Sequence, residues 1–370
     1  MHTTSQVLQD YDQSNMMRGK QLLMVLGLAM VCTVLYMTVR KDYPESEQLS
    51  DDALERINHI VSKSQKFNSQ ITQTTSAKKM STKSKSNIVI EGENDLLVIA
   101  KRISGYNRTV LVTMVNDAYL KFTYSWLCNT KNMGIHKSVL IITTDQVSKE
   151  NLTRDWPEIS VVAMNMKLQG DQTYSKVGYV KIMIKRTEMI LSLLMANIEV
   201  FLFEVDCLWL SNPVPDLQKM TGYDVLVNPV ARTNNSVFAG GFLWLYVTDK
   251  AKALWKKLTE EMIALGERIS KKADTAAVSE GENDQQFFSR LIREKYKNVS
   301  YKILPLDIYA DGQWYNLPEN KRKESRPVII NNNWVLGNDA KISRAKKWKH
   351  WFIDDNLKCD MDLVSKTVYK

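Results

Sequence analysis

Two carboxylates, Glu204 and Asp206, stand two residues apart in FLFEVDCLWLSNP, residues 201–213, at the end of a strongly apolar run. Acidic side chains drawn out of water are costly unless a cation meets them. On extended chain a spacing of two puts both side chains on one face. Hard oxygen ligands in that arrangement suit Mg²⁺ or Mn²⁺, bound directly or through its waters while a diphosphate supplies further oxygens. An ion held there acts as a Lewis acid, neutralising charge that grows on a leaving phosphate group. A lone E-x-D also occurs as an ordinary acidic strand end; the apolar run before it and the W-L-S-N-P exit after it favour the metal reading.

Other polar groups close apolar runs in the same way. Asn116-Asp117 ends TVLVTMVND and Thr144-Asp145 ends SVLIITTD. Gly240-Gly241 interrupts the bulky stretch FAGGFLWL, which permits close approach of a ligand or else marks a bulge or tight packing. Asp284-Gln285 opens FFSRLIREKY, where Asp284 is either a helix cap or a site group.

The elements that must position these groups alternate. TVLVTMVND (109–117) is β-branched, AYLKFTYSWLCNTKNMG (118–134) has helical spacing and stops at Gly134, and SVLIITTD (138–145) is again a strand. SVVAMNM (160–166), a helix within 177–197 and a strand EVFLFEVDCLWL (199–210) continue the alternation. This order predicts an α/β fold with a mostly parallel, doubly wound sheet, whose strand ends open on one crevice.

With those blocks in view, the chain resembles the nucleotide-diphospho-sugar transferases of GT-A fold, a family that includes plant xylosyl- and arabinosyltransferases. Their D-V-D-x-x-W-L-x-x-P block is similar to Glu204 through Pro213, and the likeness runs over about residues 109–352. It takes in GYVK (178–181), FAGGFLWL (238–245), NDQQFF (283–288) and NNNWVLGNDAKISRAKKWKHWF (331–352). The resemblance implies a Rossmann-like, mostly parallel sheet flanked by helices. It implies Asp206 as metal ligand, with Glu204 and Asn331 beside it, and Lys181 and the exit at Asn116 near the nucleotide; Asp145 joins them as a candidate by its place at a strand end. Asp284 and Gln285 would face the donor sugar. Asn333, Gly337 and Lys341 match the C-terminal N-W-x-x-G block and its following lysine, which would place Lys341 by the diphosphate; read alone, Lys341 is a solvated surface charge. The chain departs from the family where Glu204 replaces the usual Asp and Asn331 the usual His, a weaker pair for a divalent ion.

At 370 residues, 44% apolar and 25% charged, the chain can bury a large core. Its net charge of +9 is spread along the sequence with no zinc-finger, homeodomain or RRM pattern, which argues against nucleic acid as partner. Residues 21–39, QLLMVLGLAMVCTVLYMTV, carry no charge and would span about 28 Å as a helix, the length of an uncleaved signal anchor. The expected organisation is a cytosolic tail (1–20), a transmembrane helix (21–39), a polar stem (40–95) with a short helix over 51–61, and a transferase domain (96–370). Four N-x-S/T sequons, at Asn107, Asn151, Asn234 and Asn298, lie on the body side and are compatible with a lumen. Cys128 and Cys207 sit in apolar runs as packed thiols, and three body cysteines allow one intrachain disulfide at most. KKWKHWF (346–352) is expected to be a capping helix. The function implied is a Golgi type II membrane glycosyltransferase, with Mn²⁺ or Mg²⁺ as cofactor, moving a sugar with retention from a UDP-linked donor to a glycan or glycoprotein hydroxyl. The rival is a membrane-tethered binding protein that kept the fold and lost turnover.

Overall fold

A computed structural model describes residues 49–77, 93–168, 170, 172–231 and 234–368. The expected tail and membrane anchor lie outside these residues, and no helix among the described residues is long and apolar enough to cross a membrane.

From Ser50 onward the chain forms one compact unit. Its elements are α1 (Asp51–Ala77), α2 (Glu93–Tyr106), β1 (Thr109–Val115), α3 (Leu120–Thr130), β2 (Val139–Thr143), α4 (Gln146–Asp155) and β3 (Ser160–Ala163). Then come α5 (Val177–Met195), β4 (Glu199–Leu202), β5 (Leu208–Trp209), α6 (Val214–Lys219), β6 (Val225–Ala231), β7 (Asn234–Leu245) and α7 (Asp249–Ile269). The last are α8 (Asp284–Arg293), β8 (Tyr301–Ile303), β9 (Tyr309–Ala310), α9 (Glu319–Glu324), β10 (Ile329–Ile330), α10 (Asn338–Lys347) and α11 (Met361–Thr367).

Among the described residues seven strands form the main sheet, in the order β3-β2-β1-β4-β7-β6-β8. The first four are mutually parallel, β7 runs antiparallel to both β4 and β6, and β8 is parallel to β6. The mixed α/β class with a mostly parallel sheet is therefore as read from the alternation. The strands β1 and β2 are buried along almost their whole length, as β-branched runs covered on both faces must be. A second, three-stranded sheet pairs β10 antiparallel with β5 and parallel with β9.

That second sheet corrects the expected strand 199–210. Backbone pairing in the main sheet continues only to Phe203, whose N–H donates to the Val112 carbonyl at 3.0 Å. Asn129 then holds the Trp209 backbone from both sides, accepting from its N–H at 2.8 Å and donating to its carbonyl at 2.9 Å, which carries β5 into the other sheet. Glu204 and Asp206 consequently lie in the turn between β4 and β5, and the strand periodicity invoked for their shared face does not apply. Around this turn Phe201, Phe203, Trp126, Trp209 and Trp244 are fully buried, with ring centroids 4.6 Å apart for Trp126–Phe203 and 5.4 Å for Phe201–Trp244. Truncating any one of these to Ala costs about 3–5 kcal/mol, so the turn is mounted on stiff ground.

The expected stem is also corrected in part. Residues 51–77 form a 27-residue helix, longer than the 51–61 stretch expected, and it lies against α5 and α7. Ala53, Ile57, Ile60 and Ser64 are buried at helical spacing, and the Arg56 guanidinium meets the buried Glu188 carboxylate at 2.5 Å. The segment is polar on average because most of its described side chains face water, while a narrow stripe packs on the body.

Two further expectations change. Cys128 on α3 is bonded to Cys359 ahead of α11, with Cα atoms 5.4 Å apart, while Cys207 stays a buried thiol. The α10 helix stops at Lys347, and Lys349 takes a left-handed φ of 58°, so KKWKHWF is not one helix. Its Phe352 is buried instead by loop packing, with its N–H donating to Ser125 Oγ at 3.1 Å.

Candidate functional site

The carboxyl ends of β1 and β4 open on a crevice lined by Asn116, Tyr119, Arg186, Glu204, Asp206 and Lys341. Asp206 is buried, and the Lys341 ammonium lies 2.6 Å from its Oδ2. Lys341 Nζ also donates to the Tyr119 hydroxyl at 3.3 Å. Burial acts against the ammonium, but the Asp206 carboxylate and the Tyr119 oxygen outweigh it and raise the Lys341 pKa. Burial pushes the Tyr119 phenol up to about 12, against the pull of Lys341, so both groups keep their protons at neutral pH. Lys341 reaches this place because Gly337, with φ 83°, turns the chain into α10. Asn332 then ties the helix down: its Nδ2 donates to the Lys341 carbonyl at 3.1 Å, and its Oδ1 accepts from Arg344 Nε at 2.7 Å.

A second cation, Arg186 on α5, serves the other carboxylates. Its Nη2 pairs with Asp284 Oδ2 and donates to the Gly240 carbonyl at 3.2 Å, and its Nη1 lies 3.9 Å from Glu204 Oε1. Withdrawal from water raises the half-buried Glu204 carboxyl, and the neighbouring Asp206 adds to the rise against Arg186 and Lys341. The glycine pair is explained by these contacts. A Cβ on Gly241 would collide with the Glu204 side chain, and one on Gly240 would come within 3.2–3.3 Å of Asp284 and Gln285. Gly240 N–H also donates to Gln285 Oε1 at 3.3 Å. Close approach here is by the protein's own side chains, the tight-packing alternative. Asn283, not Asp284, caps α8, accepting from Gln286 N–H at 3.0 Å and leaving Asp284 to Arg186.

Several residues singled out from sequence are engaged elsewhere. Asp145 caps α4 through Ser148 N–H at 2.7 Å, and Lys181 is paired with Asp274 at 2.7 Å; neither lines the crevice. Asn116 does line it, with its Nδ2 donating to the Gly170 carbonyl at 2.8 Å. Asn333 Oδ1 accepts from Gly312 N–H at 2.6 Å. Asn331 is buried at the exit of β10, whose Ile330 pairs with Leu208 just beyond the acidic turn. Sequence reasoning missed Arg186, Tyr119 and Asn129. Only Arg186 left a signal, a charge set among apolar residues on a helix that is buried nearly all round.

The donor set can be tested for a divalent ion. Asp206 Oδ1 and Asn331 Oδ1 are both buried acceptors without a hydrogen-bond partner. Among the described residues there is no group of three or more His, Cys, Asp or Glu able to hold a metal. The crevice itself brings two carboxylates, Glu204 and Asp206, but not Asn331, and Asp206 Oδ2 already meets the Lys341 ammonium, so a divalent ion there would depend on oxygens of a bound phosphate for most of its shell.

Comparison with known proteins adds to this geometry. A sequence profile of the nucleotide-diphospho-sugar transferase family matches residues 134–345. UDP-D-xylose:L-fucose alpha-1,3-D-xylosyltransferase 3 of Arabidopsis thaliana is 24% identical over 277 residues, 70% of this chain and 70% of that one. Beta-arabinofuranosyltransferase RAY1 of Arabidopsis thaliana is 22% identical over 294 residues, 71% of this chain and 51% of its own. The crystal structure of the glycosyltransferase GlyE from Streptococcus pneumoniae superposes with a TM-score of 0.42 and 14% identity, over 70% of this chain and 62% of that chain. This chain thus spans less than two thirds of the GlyE chain and about half of the arabinofuranosyltransferase.

Proposed function

The chain belongs to the nucleotide-diphospho-sugar transferase family, and from that premise we propose that it moves a sugar from a UDP-linked donor to a hydroxyl of a glycan or glycoprotein. One observation carries the reading: at the carboxyl ends of parallel strands, two carboxylates face two cations across a crevice. A strand-end crevice is where doubly wound sheets take nucleotides, and a diphosphate needs the cations.

In this reading Lys341 exchanges Asp206 for the donor's diphosphate and stabilises the charge that develops as the sugar leaves. Arg186 fixes Asp284 beside Gly240, so that a carboxylate is presented to the sugar hydroxyls in one orientation. Glu204, Asp206 and Asn331 would hold Mn²⁺ or Mg²⁺, which supplies Lewis-acid neutralisation of the diphosphate. Transfer with retention needs no side-chain nucleophile: the acceptor oxygen bonds C1 on the face the phosphate leaves, the C1–O bond to phosphate breaks, and the hydroxyl proton passes to the departing phosphate. The proposal places residues 21–39 in the Golgi membrane and the body in the lumen. The Cys128–Cys359 disulfide supports it, since such bonds persist in oxidising compartments.

The test is hydrolysis of UDP-xylose and other UDP-sugars by the purified full-length chain, with and without Mn²⁺. Asp206→Asn should cut turnover by about two orders of magnitude, because a cation at a developing negative charge is worth several kcal/mol. A second reading, binding without turnover, is favoured by the hold of Lys341 on Asp206. UDP binding that ignores Mn²⁺, with no hydrolysis of any donor, would establish that reading instead.

A further inference from the structure

We propose that Trp334 is the platform on which a pyranose ring of the acceptor stacks; the proposal rests on the transferase reading above. Trp334 is 54% exposed, unusual for a tryptophan in a chain that buries Trp126, Trp209, Trp244 and Trp255 completely. It is not loose. Its indole Nε1–H donates to the Val230 carbonyl at 2.9 Å and to Asp311 Oδ2 at 3.2 Å, so the ring is pinned by its only polar atom. What remains exposed is apolar π surface. Its backbone has φ 61°, a left-handed conformation that is costly for a bulky side chain and persists only where the surroundings impose it.

The surroundings do impose it. The preceding Asn333 is held by Gly312 N–H at 2.6 Å through its side chain and by Arg344 Nη2 at 2.6 Å through its carbonyl. Lys341, seven residues on from Trp334, reaches Asp206. The platform and the cation that meets the diphosphate therefore share one braced segment. Val230 belongs to β6, on the far side of β7 and β4 from β1, so the ring is anchored to the half of the sheet away from Asn116.

A transferase must hold a second carbohydrate next to its donor. A pyranose offers a face of C–H bonds that matches a rigid indole, and a pinned ring loses little freedom when covered. A uracil ring could also stack on indole, but strand-end nucleotide sites lie at the switch point beside β1, not on the β6 side.

The experiment uses the full-length chain in detergent with two probes, methyl α-L-fucopyranoside and methyl β-D-galactopyranoside, in saturation-transfer NMR, beside calorimetric titration of UDP. Wild type and Trp334→Phe should transfer saturation to the C–H protons of at least one glycoside. Trp334→Leu, which keeps an apolar side chain and removes the π face, should weaken that signal by about fivefold or more with UDP affinity unchanged. A second readout needs no truncation: in 5-fluorotryptophan-labelled wild type, the resonance assigned to Trp334 by its absence in Trp334→Phe should shift on adding glycoside. Equal signal in Trp334→Leu, no signal and no shift in wild type, or a loss confined to UDP binding would overturn the platform. Failure of wild type to bind UDP, with the glycoside signal intact, would overturn the transferase reading alone.

Discussion

Lys341 and Asp206 make a close, buried charge pair in the crevice, and each is more costly alone than together. Lys341→Met removes the cation proposed for the diphosphate. UDP affinity should fall about 10- to 100-fold by calorimetry, the worth of a charge-assisted hydrogen bond of about 1.5–3 kcal/mol; unchanged affinity would remove Lys341 from the donor site. A different residue sets a pH limit. Burial lowers His350 from 6.5 to about 4, and its Nδ1 lies 3.1 Å from the Tyr315 hydroxyl. Between those values the unfolded chain binds the proton that the folded chain refuses. The His350 contribution is therefore intact above about pH 6.5 and is lost as pH falls toward about 4. In His350→Gln the urea midpoint should drop less on acidification than in wild type, and an equal drop would reject the assignment. Residue type was enough to bring Glu204 and Asp206 to the crevice, although the strand spacing that led to them does not hold in the turn they occupy. Arg186 was not assigned, because its partner Asp284 is 98 residues away and no local pattern announces such a pair. The reason for Gly241 was equally hidden, since it is the Glu204 side chain lying over it.

Among the elements, α1 joins the body most locally, through Ala53, Ile57 and Ile60 and the Arg56–Glu188 pair. Ile57→Asp sets a charge in that seam and should undock the helix. Hydrogen exchange should then reveal lost protection over residues 51–70, while UDP affinity holds, because no residue of α1 lines the crevice. Retained protection would mean that the seam does not hold the helix. The parallel half of the sheet was readable because its strands alternate with helices and are apolar throughout. The helix α1 was read short because the polar composition of 40–95 averages over two faces. The break between β4 and β5 was unreadable: the apolar run continues through it, and the clamp at Trp209 comes from Asn129 on another helix.

At the scale of the whole molecule, Cys128–Cys359 closes a sequence separation of 231 residues, tying α3 to the C-terminal segment. The chain-entropy account gives such a loop about 5 kcal/mol. The double variant Cys128→Ala/Cys359→Ala should unfold at lower denaturant than wild type by that order. Reductant should lower the wild-type midpoint toward the variant's and leave the variant unmoved; coincident midpoints without reductant would refute the bond. The fold class was legible from alternation alone, but the antiparallel β7 and the β5-β10-β9 sheet were not, because their pairings join distant segments. The cysteine pairing was open for the same reason.

The order of synthesis gives the Lys341–Asp206 pair one more consequence. The ammonium is 135 residues downstream of its carboxylate, and the ribosome delivers them in that order. Every nascent chain that stops short of α10 carries the acidic turn with Asp206 still bare. The crevice can receive a polyanionic donor on these terms only after α10 has emerged and docked, so the last-made part of the site certifies that the rest has been made.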